Sequence, residues 1–232
     1  MQSQHTGPGL WPISVALVLG VCGIAHAVAT NAQQCRTFGF TGLTGLTPDV
    51  ITGHRQFFLD VLNGPLPGEA TFQFRNVGAT GSSITTIFLD DRGIGGREGT
   101  PVLASLGTFF SSAGTLFAQP ENALPFPGAN ALFPPFQSRE QFTLVASSPT
   151  NGINPGESLR VTASLEPDKT IQNVRDAIQT GQLLVGLQAG EFASGVPASF
   201  VNDMACVPSP GAVLLSSLGA GLVGLLRWRR ML

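Results

Sequence analysis

Glycine and proline interrupt this chain about once every five residues, with 29 Gly and 17 Pro among 232. Both are poor occupants of helix interiors, so long helices have little room. Short extended segments joined by turns suit that spacing. Charged residues make up 11% and hydrophobic residues 43%, with 16 Phe to bury. That is the composition of a packed chain, not of a disordered one. The fold class that follows is mainly β: an antiparallel β-sandwich, jelly-roll or Ig-like, with one short helix.

Local patterns place the elements. Thr71-Phe72-Gln73-Phe74-Arg75 alternates with period two and predicts a strand. Ser83–Leu89 is β-branched and runs into the turn-like cluster Asp90-Asp91-Arg92-Gly93. Gln141–Ala146 and Ser158–Leu165 read as a strand pair joined by the turn-rich SSPTNGINPGE. Leu183–Gln188 is a further strand, and Arg55–Leu62 is read as strand because Asn63-Gly64-Pro65 follows. Ile171, Val174, Ala177 and Ile178 recur at helical spacing, with Thr170 or Asp168 as N-cap and Gly181 at the C-terminal end.

Both termini read as addresses. Ile13–Gly23 is an apolar run that stops at Ala25-His26-Ala27, a small-x-small site, so residues 1–27 read as a signal peptide cleaved before Val28. The segment ahead of the run carries no Lys or Arg, which is unusual for such a leader. The body is then 28–206 and the tail 207–232. Residues 211–226 are apolar or small; as a helix they reach roughly 24 Å, a little short of a hydrocarbon core of about 30 Å. Arg227, Arg229 and Arg230 follow. The run reads as a transmembrane helix with a cytoplasmic C-terminus. The alternative is a helix docked on the body, which an all-apolar face disfavours.

The triplet Pro208-Ser209-Pro210, the apolar helix and the arginine cluster together resemble a PEP-CTERM sorting signal, with Ser209 where the common pattern has Glu. The body adds to the resemblance: Phe74–Gly78, Ser83–Asp91, Leu124–Phe136, Asn151–Leu159, Thr170–Gln188 and Ala198–Asn202 are similar to a recurrent PEP-CTERM ectodomain over about 72–202. The resemblance implies export by a Gram-negative bacterium and tail processing by exosortase, a membrane protease. It implies cell-envelope or extracellular localisation and a setting rich in exopolysaccharide. It brings no catalytic residues.

Loss of the leader removes Cys22 and leaves Cys35 and Cys206. An even count in an oxidising compartment suggests a disulfide, with two separate thiols as the alternative. The acids outnumber the bases in the body, where Lys169 is the one lysine, and no basic stripe is present. Nucleic-acid binding is therefore not expected.

Chemistry is scarce. His54 is the one histidine of the body, and a structural role suits it better than a triad or metal ligation. Asp90 and Asp91 form a speculative cation site if the chain turns there; the favoured reading is a solvated turn whose carboxylates accept backbone N–H bonds. Gly93-Ile94-Gly95-Gly96 lacks the spacing of a phosphate loop. No catalytic residue, metal ligand set or cofactor is assigned. The leading expectation is a non-enzymatic, exported surface or matrix protein, polysaccharide-associated and held at the membrane by its tail. The alternative is a carbohydrate-binding module, disfavoured because the body has neither Trp nor Tyr. A hydrolase is disfavoured further by the shortage of histidine and of spaced carboxylates.

Overall fold

The computed structural model describes residues 35–91 and 100–207. The leader 1–27, the triplet at 208–210, the apolar run and the terminal arginines lie outside the described residues. Among the described residues no helix is long and apolar enough to cross a membrane.

The chain is mainly antiparallel β, with ten strands and two helices among the described residues. In chain order these are β1 (Thr37–Thr44), α1 (Thr47–Gln56), β2 (Phe57–Asn63), β3 (Glu69–Asn76), β4 (Ser83–Asp91), β5 (Leu103–Ser111) and β6 (Phe117–Ala118), followed by β7 (Thr143–Ala146), β8 (Ser158–Leu165), α2 (Ile171–Gln179), β9 (Leu183–Gly190) and β10 (Ala198–Cys206). All ten strands belong to one sheet in the order β5-β8-β3-β2-β1-β10-β9-β4-β7-β6. The first strand thus pairs with the last at the sheet's centre, from Phe38 opposite Cys206 to Thr44 opposite Ser199.

The sheet curls until it is nearly closed. At one closing point the Asp91 carboxylate, ending β4, accepts the N–H groups of Val102 and Leu103 at 2.7 and 2.6 Å, entering β5. Period-two side chains explain the interior. Leu59, Val61, Phe72, Phe74, Leu159 and Val161 point inward from β2, β3 and β8, and meet Ile84, Ile87, Leu89, Val185, Leu187 and Phe200 of the other half. Twelve of the 16 phenylalanines are buried. Each contributes roughly 1.5–3 kcal/mol by leaving water.

The strands read at 71–75, 83–89, 158–165 and 183–188 all lie within observed strands, and the helix read from Ile171 is α2. Its start is closed by Asn173, whose side-chain oxygen accepts the N–H and hydroxyl of Thr170, both at 2.8 Å. Gly181 adopts the left-handed φ of 71° that ends such a helix.

Two expectations are corrected. β7 and β8 do not pair: β7 lies between β4 and β6, and β8 between β3 and β5. The connecting loop is fastened elsewhere. Ile153 exchanges backbone bonds with Ile84 at 3.2 and 2.9 Å, and the buried Asn76 amide donates to the Ile153 carbonyl at 3.2 Å. Both anchors hold the loop as a crossing from one half of the sheet to the other, which no hairpin could do.

The second correction is α1, a helix where one helix in all was expected. Its signals were masked by Gly53, which looks like a breaker. In fact a Cβ at Gly53 would run into the Phe200 ring and crowd Phe57. The missing side chain lets the helix lie directly on β10. Strand character in the stretch read at 55–62 begins only at Phe57.

Replacing Gly by Ala in a helix ordinarily stabilises by up to about 1 kcal/mol. At position 53 the core clash reverses the sign. Gly53→Ala is expected to lower stability by about 1–3 kcal/mol, read as a lower urea midpoint at unchanged slope.

Candidate functional site

The most distinctive constellation lies where the body begins and ends. Cys35 and Cys206 form a disulfide, 5.5 Å between Cα atoms and 171 residues apart in sequence. Cys35 lies two residues before the start of β1, and Cys206 closes β10 in register with Phe38. One residue beyond, the Val207 N–H donates to the Thr37 carbonyl at 2.9 Å, so the strand pairing continues past the bridge. Gln179, ending α2, points its amide at the Cys206 sulfur at 3.2 Å. The first and last described residues, Cys35 and Val207, therefore lie at the same end of the β1–β10 pair.

Asp90 and Asp91 are both buried. β4 continues straight through them, so the two carboxylates take opposite faces of the sheet. Asp91 serves β5 on the inner side, as described. The Asp90 carboxylate accepts the Gln137 N–H at 2.8 Å on the other side. Adjacent in sequence, they are not brought together into one site. Among the described residues no group of three or more His, Cys, Asp or Glu side chains is placed to hold a metal ion.

What Asp90 secures is the loop 119–138. Phe126 and Phe136 of this loop pack on Phe88 of β4, with ring centroids 5.2 and 6.4 Å away and 4.5 Å between themselves. Leu184 and Val201 complete this small second core. Gly186 in β9 makes the seat, since a Cβ there would press into the Phe126 ring. The hydroxyl of Ser138 donates to the Leu124 carbonyl and closes the loop on itself. Phe133 alone of its aromatics stands 94% exposed.

His54 lies on the exposed side of α1 and meets the Phe40 carbonyl through Nδ1 at 2.9 Å. Arg75 and Asp60 form an ion pair on the sheet, a two-point contact at 2.6 and 3.2 Å. Thr37 donates to the same carboxylate at 2.6 Å, and the guanidinium lies 5.7 Å from the Phe58 ring centre.

Among the shallow grooves of the described surface are the following three. One of about 370 Å³ runs beside Thr86, Gln188 and Glu191. Another, of about 350 Å³, lies between the β2–β3 turn and Lys169 at the start of α2. The third, of about 250 Å³, is lined by Asn63, Thr71, Phe110, Arg160 and Thr162 among others. The sequence reading passed over β5 and therefore over Phe110. Its clue was the doublet Phe109-Phe110, since in a strand two neighbours cannot both face the core.

Comparison with protein-family models, curated proteins and solved structures returns no match to this chain.

Burial raises the Asp91 carboxyl above its ordinary value, while its bonds from Leu103 and Val102 pull the other way. A raised folded-state pKa favours the fold at low pH. That contribution is fully present below the unfolded value near 3.8 and is lost as pH rises through the folded value. Asp91→Asn removes the dependence. Urea melts of both proteins from pH 3.5 to pH 7.5 are expected to show wild type losing stability relative to the variant as pH rises.

Proposed function

We propose that this chain is an exported, non-enzymatic surface or extracellular-matrix protein, sorted to the cell envelope by a PEP-CTERM-like tail and associated with polysaccharide. The observation that carries this reading is the Cys35–Cys206 bridge. Such a bridge persists where the surroundings are oxidising, outside the reducing cytosol. Its Cys206 stands two residues before Pro208, the first residue of the proposed sorting triplet.

The placement suits a tethered protein. With Pro208-Ser209-Pro210 and the run 211–226 acting as stalk and membrane span, the bridge makes the body's first and last strands one unit at the point of attachment. In this reading Arg227, Arg229 and Arg230 remain cytoplasmic, and an exosortase-like protease acts on the tail. Residues 1–27 are removed after Ala27, with Ala25 and Ala27 as the recognised small residues. The curled sheet is read as a sandwich of two halves, β5-β8-β3-β2-β1 and β10-β9-β4-β7-β6, sharing one core.

The non-enzymatic part rests on how the polar side chains are used. Asp90 and Asp91 fasten backbone N–H groups, Asp60 holds Arg75, and His54 is engaged with a carbonyl. These are structural duties.

The intact mass of the protein isolated from its producing cell tests the proposal. A mass that begins at Val28, lacks all or part of 208–232 and falls two hydrogens short of the reduced chain is the expected result. Recovery of an unprocessed chain with free thiols overturns it. The bridge itself is expected to stabilise strongly. Cys35→Ser or Cys206→Ser should cost up to about 5 kcal/mol by the loop-entropy argument, read in denaturant melts.

A further inference from the structure

We propose that the groove between Phe110 and Arg160 is a binding site for a uronate-bearing polysaccharide. The inference rests on the polysaccharide association proposed above and gives it a place and a chemical class.

The groove lies on the outer face of β2-β3-β8-β5. Register builds it as a row: Phe110 stands opposite Arg160, Arg160 opposite Gln73, and Gln73 opposite Asp60. Four strands at about 4.8 Å spacing make a platform roughly 14 Å across, enough for two or three sugar rings. Phe109 turns toward the core, whereas Phe110 remains 62% exposed. An exposed phenyl ring beside a shallow groove offers a flat apolar surface for the C–H face of a pyranose. Asn63, Thr71 and Thr162 line the same groove with amide and hydroxyl groups suited to sugar hydroxyls.

Charge decides the class of sugar. Arg75, nearby on the same face, is neutralised by Asp60. Among the described residues Arg160 has no carboxylate partner; its side chain bonds there from Nε to the Gln73 side-chain oxygen at 3.2 Å. That bond engages Nε alone, so its two terminal nitrogens are left for a ligand. Arg160 is the one charged residue lining the groove. A planar guanidinium presenting two donors fits a carboxylate at two points. The two larger grooves have no aromatic side chain in their walls.

Affinity electrophoresis of the full chain in mild detergent, with chelator present, tests the site. The probes are polygalacturonate and its methyl ester, which has the same backbone without the charge. Polygalacturonate is expected to retard the protein. Arg160→Gln should weaken that binding about tenfold, the loss of one charge-assisted contact, and abolish the preference for acid over ester. Phe110→Ala should weaken binding to both polymers. Arg55→Gln, an exposed arginine on α1, should change nothing. No retardation by polygalacturonate overturns the site. So does equal retardation by acid and ester, or equal loss in Arg55→Gln and Arg160→Gln. A chain that is processed and bridged yet not retarded overturns the groove and leaves the export proposal standing.

Discussion

The pairing of β1 with β10 is the constraint on which the rest of the structure depends. These are the first and last strands of the described fold, and they lie at the centre of the sheet. Every other strand is added outward from them, to β5 on one side and β6 on the other. Small residues permit the pairing to be covered. Gly42 in β1 leaves room for Val50 of α1, and Gly53 leaves room for the Phe200 ring of β10. The disulfide then fixes the end of the pair at Phe38 opposite Cys206. With that centre secured, both flanks bury their inward side chains against one another.

One half of the sheet is covered twice. β4, β9 and β10 present Ile87, Val185 and Phe200 to the main core, and Phe88, Leu184 and Val201 to the loop 119–138. A strand buried on both faces reads as a continuous apolar run, and Leu183–Leu187 does so. The opposite half, β2 and β3 especially, alternates cleanly between core and water. This division explains why adjacent aspartates at the end of β4 hold different segments. Period two sends Asp91 toward β5 and Asp90 toward the covering loop. Asp91 satisfies the N–H groups of buried Val102 and Leu103, and Asp90 takes that of Gln137.

The elements legible in sequence were those whose own residues carry the signal. β3 alternates, β8 is β-branched, and α2 has four apolar residues at helical spacing with a capping pair. What escaped was set by contacts distant in sequence. β1 contains Gly39 and Gly42 and was not read as a strand, because its extended form is enforced by β10 some 160 residues on. α1 carries Pro48 and Gly53, and its stability comes from packing on β1 and β10, not from propensity. β5 is interrupted by two register shifts against β8, which broke the alternation that would have betrayed it and, with it, Phe110. The two cysteines were the exception: a long-range contact that simple counting brought within reach.

Synthesis separates β1 from β10 by some 160 residues. At about 5–20 residues per second, the interval between them is on the order of ten to thirty seconds. Throughout that time Phe38 and Phe40 have no neighbour on the β10 side, and the growing chain resembles an open book with its spine missing. A product truncated anywhere before Ala198 keeps that gap for good. An incomplete chain therefore differs from the finished one by an apolar cleft in the middle of the sheet, not by a missing edge.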